Sequence, residues 1–209
     1  MTYAQIDKAA KDCGLAIVGA LHPEEGGTLI LLGPDEPNFW PVFKASREMQ
    51  DGASDPLDRW SKRVIGTLAA QFDGKAVFPS DGPPYPPFLQ WALDSGRSWA
   101  SPVNLLVHDK AGLFLSFRGA LELTDQLEIP PSSGRSPCSY CLGPCITACP
   151  VMAFASGSYD VAACKAHIET EAGKGCYQGC LVRRACPVSE SYGRLAEQSE
   201  FHMKAFHPK

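Results

Sequence analysis

The sequence has no apolar run that could cross a bilayer: its longest early stretch, Leu15 to Leu21, falls far short of the roughly 20 residues a span requires. No membrane association is expected. Positive charge is also short, with 19 Lys and Arg against 23 Asp and Glu and a formal charge of −4. That argues against a surface that attracts nucleic acid or anionic lipid as a whole. The first twenty residues carry Asp7 and Asp12 and lack the basic start and long apolar middle of an export signal, so the expected location is the cytoplasm. Repeats of solenoid period and low-complexity tracts are missing, as is a glycine-rich phosphate fingerprint. Charged residues at 20% and hydrophobic residues at 44% exclude a disordered or coiled-coil chain.

What the sequence has in excess is cysteine. Nine occur in 209 residues, and eight of them fall between 138 and 186, whereas all four tryptophans precede residue 100. Charge divides in the same way, with a net −5 over residues 1–137 and +1 over 138–209. The span 129–137, which holds Pro130, Pro131, Ser132, Gly134 and Pro137, has the composition of a connector. Domains are therefore expected at 1–128 and 138–209, joined by a linker over 129–137.

Thr2 is placed to cap a short helix with Ile6, Ala9, Ala10 and Cys13 on one face, which makes Cys13 a core residue. Apolar runs at 15–20 and 28–32 then read as strands. Asp55 before Pro56 marks an acid-capped helix start, and Leu57, Trp60, Val64, Ile65 and Leu68 recur at helical spacing toward Phe72. A further helix is expected from Pro87 to Leu93. Val103–His108 and Leu113–Leu123 look like the strands of a hairpin closed by Asp109, Lys110, Ala111 and Gly112. Helices are expected over 159–170, capped by Asp160, and over 190–206, with the glycine-rich 173–179 as a tight loop between them. The mixed order makes the fold class α+β.

The cysteines run Cys138-x2-Cys141-x3-Cys145-x3-Cys149-Pro150, then Cys164, then Cys176-x3-Cys180-x5-Cys186-Pro187. Eight thiolates suit two [4Fe-4S] clusters. In two-cluster ferredoxins the cysteine before proline serves the other cluster. That swap assigns Cys138, Cys141, Cys145 and Cys186 to one cluster and Cys149, Cys164, Cys176 and Cys180 to the second. Pro150 and Pro187 stop helix from continuing through the cysteine, and Gly143, Gly175 and Gly179 let backbone N–H groups approach sulfur. Two structural zinc sites of four thiolates each are the alternative, although zinc favours paired knuckles over four cysteines in one run. Disulfides are disfavoured where thiols stay reduced. The spacing departs from the usual bacterial x2, x2, x3 run by an extra residue before Cys145 and by longer gaps in the second group.

From 101 to 187 the order of features resembles epoxyqueuosine reductase, an iron–sulfur and cobalamin enzyme family. The resemblance is carried by Asn104-Leu105-Leu106-Val107-His108, Leu113 to Gly119, the linker, the cysteine run ending Ala148-Cys149-Pro150, the lone Cys164 and the closing Cys186-Pro187. Upstream, Asp55-Pro56-Leu57-Asp58-Arg59 and the stretch from Val107-His108 to Arg118-Gly119 are similar, more weakly, to the type C methylmalonic aciduria cobalamin-processing proteins. The resemblance implies a short nitroreductase-like domain over 1–128 with a corrinoid-facing pocket, followed by a ferredoxin-like two-cluster domain.

It also implies a proton-donating aspartate near Asp81, where a turn-forming role is the competing reading. His108 would face the cofactor as a lower cobalt ligand or donor, or else end a strand in solvent. Trp91 and Trp99, with Trp40, Phe43, Trp60, Tyr85 and Phe88, would wall a corrin or flavin, unless they form core. Arg118, with Arg59, Lys62, Arg63 and Arg97, would hold its phosphates or carboxamides, while Arg59, Lys62 and Arg63 also read as one solvated helix face. FMN is the lesser expectation, because the opening residues lack arginine. Arg183 and Arg184 would offset the negative charge of a cluster, dock an acidic donor, or simply face water. His167, His202 and His207 read as surface groups.

The function expected is electron transfer between two [4Fe-4S] clusters and a corrinoid-like or flavin-like pocket, as a cobalamin-related reductase or as an electron carrier only. Its partner would be a redox protein or a small-molecule donor; the acidic chain gives no expectation of tRNA. A corrinoid-handling protein without an organic substrate and a zinc-stabilised interaction module are the alternatives.

Overall fold

A computed structural model of the chain describes residues 1–132, 134–155 and 157–208. In chain order the elements are α1 (Tyr3–Asp12), β1 (Leu15–Leu21), β2 (Thr28–Pro34), α2 (Phe39–Lys44), α3 (Arg47–Gln50), α4 (Pro56–Gln71), β3 (Lys75–Val77), α5 (Phe88–Asp94) and β4 (Ser98–Ala100). They continue with β5 (Leu106–His108), β6 (Gly119–Leu123), α6 (Val161–Ile168), α7 (Leu181–Arg184), α8 (Pro187–Glu190) and α9 (Ala196–Phe206). Tight 3-10 turns occupy Pro137–Tyr140, Pro144–Ile146 and Lys174–Gln178. Helix and strand are mixed, so the class is α+β. No helix among the described residues is long and apolar enough to cross a membrane.

The chain forms two compact units: Met1–Ser98 with Ser116–Gly134, and Trp99–Leu115 with the chain from Arg135 onward. The segment from Trp99 to Leu115, expected within the first 128 residues, thus belongs to the cysteine-bearing unit. Its apolar side chains supply the reason, since Val103, Val107 and Leu113 share a buried core with Cys145, Val182 and Cys186.

The first unit is built on an antiparallel sheet in the order β1-β2-β6-β3. Every residue of the inner strand β2 is buried, which requires cover on both faces. Thr2 closes a capping box on α1, with its hydroxyl accepting from the amide of Gln5. Ile6 and Ala10 are buried as expected, while Cys13 is only half-buried. Helix α4 buries Leu57, Trp60, Val64, Ile65 and Leu68. Trp60 stands edge-on to Phe39 and Phe43 at 5.4 and 6.0 Å between ring centres. Asp55, however, sits in left-handed backbone at φ 51° and makes no side-chain cap; Pro56 alone marks the helix start. Nor are the basic residues of this helix simply solvated: Arg59 pairs with Asp51 and Arg63 with Glu48.

The expected hairpin does not form. Strand β5 pairs with β4, whereas β6 pairs with β2 and β3 in the other unit. Only a single bridge, His108 to Gly112, closes the turn between them. Beyond that bridge the Leu113 amide donates to Ser189 Oγ at 2.8 Å, and this drawing aside of the chain ends strand pairing. The helix expected over 190–206 begins only at Ala196, as α9; the short α8 ends at Glu190, and Gly193, with φ 82°, lies in the turn between them. Helix α6 is capped by Asp160, whose Oδ1 accepts from the Ala163 amide at 2.9 Å.

Candidate metal centre

The second unit is made of short turns because its sequence supplies proline and glycine where a helix would need ordinary residues. Ser136 Oγ accepts from the Cys138 amide and Pro137 opens the first 3-10 turn. Gly143, in left-handed backbone at φ 70°, precedes Pro144 and the second. Each turn presents a cysteine, and the chain cannot straighten between them.

All nine cysteines are free thiols. In the second unit they fall into two quartets. Cys138, Cys141, Cys145 and Cys186 together line an apolar cavity of about 470 Å³, walled also by Val107, Leu113, Tyr140 and Val188. Burial raises the pKa of the Cys138 thiol, and the neighbouring Cys186 and Cys141 raise it further. Cys145 is raised by burial and then by Cys138 and Cys186. In the other quartet, burial raises the Cys164 thiol against a hydrogen bond from Tyr159, with Cys180 and Cys149 adding to the rise. Cys176 is raised by burial and then by Cys180, Cys164 and Cys149.

Each quartet resists forming four thiolates unless a cation lies among them. No imidazole or carboxylate lines the cavity of the first. Backbone supplies donors to sulfur: the Gly143 amide lies 3.4 Å from Cys141 Sγ and the Ala153 amide 3.3 Å from Cys149 Sγ. Among the described residues no three His, Cys, Asp or Glu side chains come close enough to hold a single metal ion.

The other residues singled out are placed differently. His108 is buried, not an exposed strand end: its Nδ1 accepts from the amides of Lys110 and Ala111 at 3.1 and 3.0 Å, and Nε2 lies 3.2 Å from Asp109 Oδ1. Both ring nitrogens serve the turn, so the ring does not fit a cobalt ligand. Asp81 is exposed, and its Oδ2 accepts from the Phe78 amide at 2.9 Å, which is the turn-forming geometry. Trp91 and Arg118 belong to the first unit, Trp99 and His108 to the second. Trp91 packs edge-on to Phe88. Trp99 is half-buried against the core around Cys145 and Cys186. Arg118, with Lys62 and Asp58, lines a cavity of about 110 Å³, below the roughly 300 Å³ at which small-molecule pockets begin. A corrin or flavin does not fit there. Trp40, Phe43, Trp60 and Phe88 are core, while Tyr85 is exposed.

Two side chains near the second quartet carry more weight than their sequence signal suggested. Tyr159 stacks on Phe154 at 4.6 Å and on Phe206 at 6.2 Å, with its hydroxyl on Cys164. Arg183 donates to the carbonyl oxygen of Leu113, while Arg184 is exposed. Of the histidines, His207 pairs with Glu169 at 3.1 Å.

Compared with known protein families, curated proteins and solved structures, the chain finds no match.

Proposed function

We propose that the chain is an iron–sulfur electron-transfer protein whose ferredoxin-like second unit holds two [4Fe-4S] centres. The first rests on Cys138, Cys141, Cys145 and Cys186, the second on Cys149, Cys164, Cys176 and Cys180. The observation that carries this reading is the cavity of about 470 Å³, which takes all four sulfurs of the first quartet into an otherwise apolar wall. A single zinc with Zn–S bonds of about 2.3 Å would draw its thiolates to about 3.8 Å from one another. Four cysteines crowded into one run ending in Cys149-Pro150, rather than paired zinc knuckles, favour a polynuclear centre.

When bound, such a centre supplies one-electron oxidation and reduction. The chain's own part is to hold and shield. The 3-10 turns fix the sulfurs, Val107, Leu113 and Val188 supply apolar wall, and the amides of Gly143 and Ala153 donate to sulfur. For the first unit, the nitroreductase-like reading stands on the resemblance to the cobalamin reductases, and no electron-transfer step is assigned to a corrinoid or flavin at Arg118 or His108. The electron donor belongs to the class of redox proteins or small-molecule reductants.

Anaerobic purification with metal and sulfide analysis tests the reading. Brown protein with about eight iron and eight sulfide per chain is expected. Colourless protein with about two zinc ions would overturn it.

A further inference from the structure

A second cavity lies wholly within the cysteine-bearing unit and shares no lining residue with the one that takes in the first quartet. Its volume is about 630 Å³, inside the roughly 300–1,000 Å³ range of small-molecule sites. Phe114, Leu181 and Ala185 give it apolar wall, and Gln178, Arg184 and Arg194 give it polar groups. No cysteine lines it.

The two arginines converge on one serine. Arg194 Nε donates to Ser199 Oγ at 3.3 Å, and its guanidinium lies 5.5 Å from the centre of the Phe114 ring. Ser199 itself is buried. Arg184, the last residue of α7, comes to the same place: a Cβ built on Gly179 would stand 3.3 Å from Ser199 Oγ and 3.4 Å from Arg184 Cδ. Helix α9 adds to the positive potential, since its first residue, Ala196, lines the cavity and its N-cap, Leu195, offers no side-chain acceptor. One carboxylate, Glu190, shares the wall. Among the described residues neither Glu190 nor Arg184 forms an ion pair, so this acid does not neutralise Arg184.

A guanidinium presents a planar fork of donors that matches the oxygens of a carboxylate or a phosphate. We infer that this cavity binds a small organic oxyanion, a carboxylate or a phosphate ester, with Arg184 and Arg194 as its anchors. Glu190 repels such a ligand and weakens its hold. Leu181 follows Cys180, while Ala148 and Ala185 precede Cys149 and Cys186, so the occupant adjoins both quartets. The site is independent of whether those quartets hold iron or zinc.

The full-length protein, purified anaerobically with its metal in place, is titrated by calorimetry with inorganic phosphate and, separately, with citrate. Saturable binding of at least one probe is expected, and the tighter of the two tells a phosphate ester from a carboxylate. Arg184→Gln and Arg194→Gln should each weaken binding about tenfold. Arg184→Lys keeps the charge without the fork and should fall between wild type and Arg184→Gln. Glu190→Gln removes the repelling carboxylate and should tighten binding. Lys174→Gln takes an exposed cation from outside the cavity and should leave binding unchanged.

No saturable binding of either probe would overturn the inference. So would wild-type affinity in both arginine variants, or an equal loss in Lys174→Gln, since diffuse charge would then be at work. If Arg194→Gln fails to fold, Arg184→Gln and Glu190→Gln decide, because both alter exposed residues: opposite shifts in affinity support the site, and any other pattern rejects it.

Discussion

Arg63 grips the carboxylate of Glu48 with two nitrogens, Nε to Oε1 at 2.5 Å and Nη2 to Oε2 at 2.9 Å. The pair ties α3 to α4, and the Glu48 side chain is only 5% exposed. Its guanidinium partner, helped by Arg47, holds the Glu48 carboxyl at about 2, against an ordinary 4.5. A carboxyl depressed by folding adds stability above its unfolded pKa and loses it as the pH falls toward the folded one. The first unit should therefore weaken between pH 4.5 and about 2. Glu48→Gln is expected to cost about 1–3 kcal/mol at pH 6 and to flatten this acid dependence. Denaturant unfolding across the pH series checks both, and an undiminished acid slope in the variant would remove the pair from the account.

The turn at 108–112 rests on α8. The Ser189 hydroxyl accepts from the Leu113 amide, and a Cβ built on Gly112, at φ 55°, would lie 2.4 Å from the Ser189 amide nitrogen. Ser189→Ala leaves that buried amide unpaired and should cost about 1–2 kcal/mol. Gly112→Ala should cost more, because it meets backbone that cannot give way and adds left-handed strain. Thermal unfolding ranks the two; a harmless Gly112→Ala would mean the turn sits elsewhere.

Cys164 and Cys13 separate ligation from mere possession of a thiol. Cys164→Ala is expected to bring iron and sulfide down to about four each per chain, one centre of two. Cys13, half-buried beside α1 in the first unit, contributes to neither quartet, and Cys13→Ala should leave both values near eight. Loss of iron in Cys13→Ala, or loss of both centres in Cys164→Ala with the fold intact, contradicts the division.

Tyr159 combines a stack with a polar contact, and two substitutions part them. Tyr159→Phe keeps the rings against Phe154 and Phe206 and removes the hydroxyl from Cys164. It should change stability by no more than about 1 kcal/mol. Tyr159→Leu also forfeits the stacking, worth roughly 0.5–1.5 kcal/mol per pair beyond area. A melting series measures the gap between them, and equal melting temperatures would show the stack to be idle.

The parts of this fold that were legible in the sequence are those fixed within one or two helical turns. Thr2 caps because Gln5 is three residues away, and α4 follows from the spacing of its apolar residues. Partner choice was not. Val103–His108 and Leu113–Leu123 carry the local pattern of a hairpin, yet each finds its strand partner elsewhere, and only tertiary packing decides that. Asp55 has the right side chain for a cap but the wrong backbone, and His108 is buried because three groups of its own turn take up both ring nitrogens.

Interleaving of the two units has a consequence for any attempt to dissect the molecule. The chain leaves the first unit after Ser98, returns at Ser116 and departs again after Gly134. No single proteolytic cut can release an intact cysteine-bearing half. A fragment starting at Arg135 would carry eight cysteines but forfeit Val107 and Leu113 from the wall around Cys145 and Cys186. Joining a foreign half at a single junction is closed for the same reason: either unit would have to be exchanged as two separate segments.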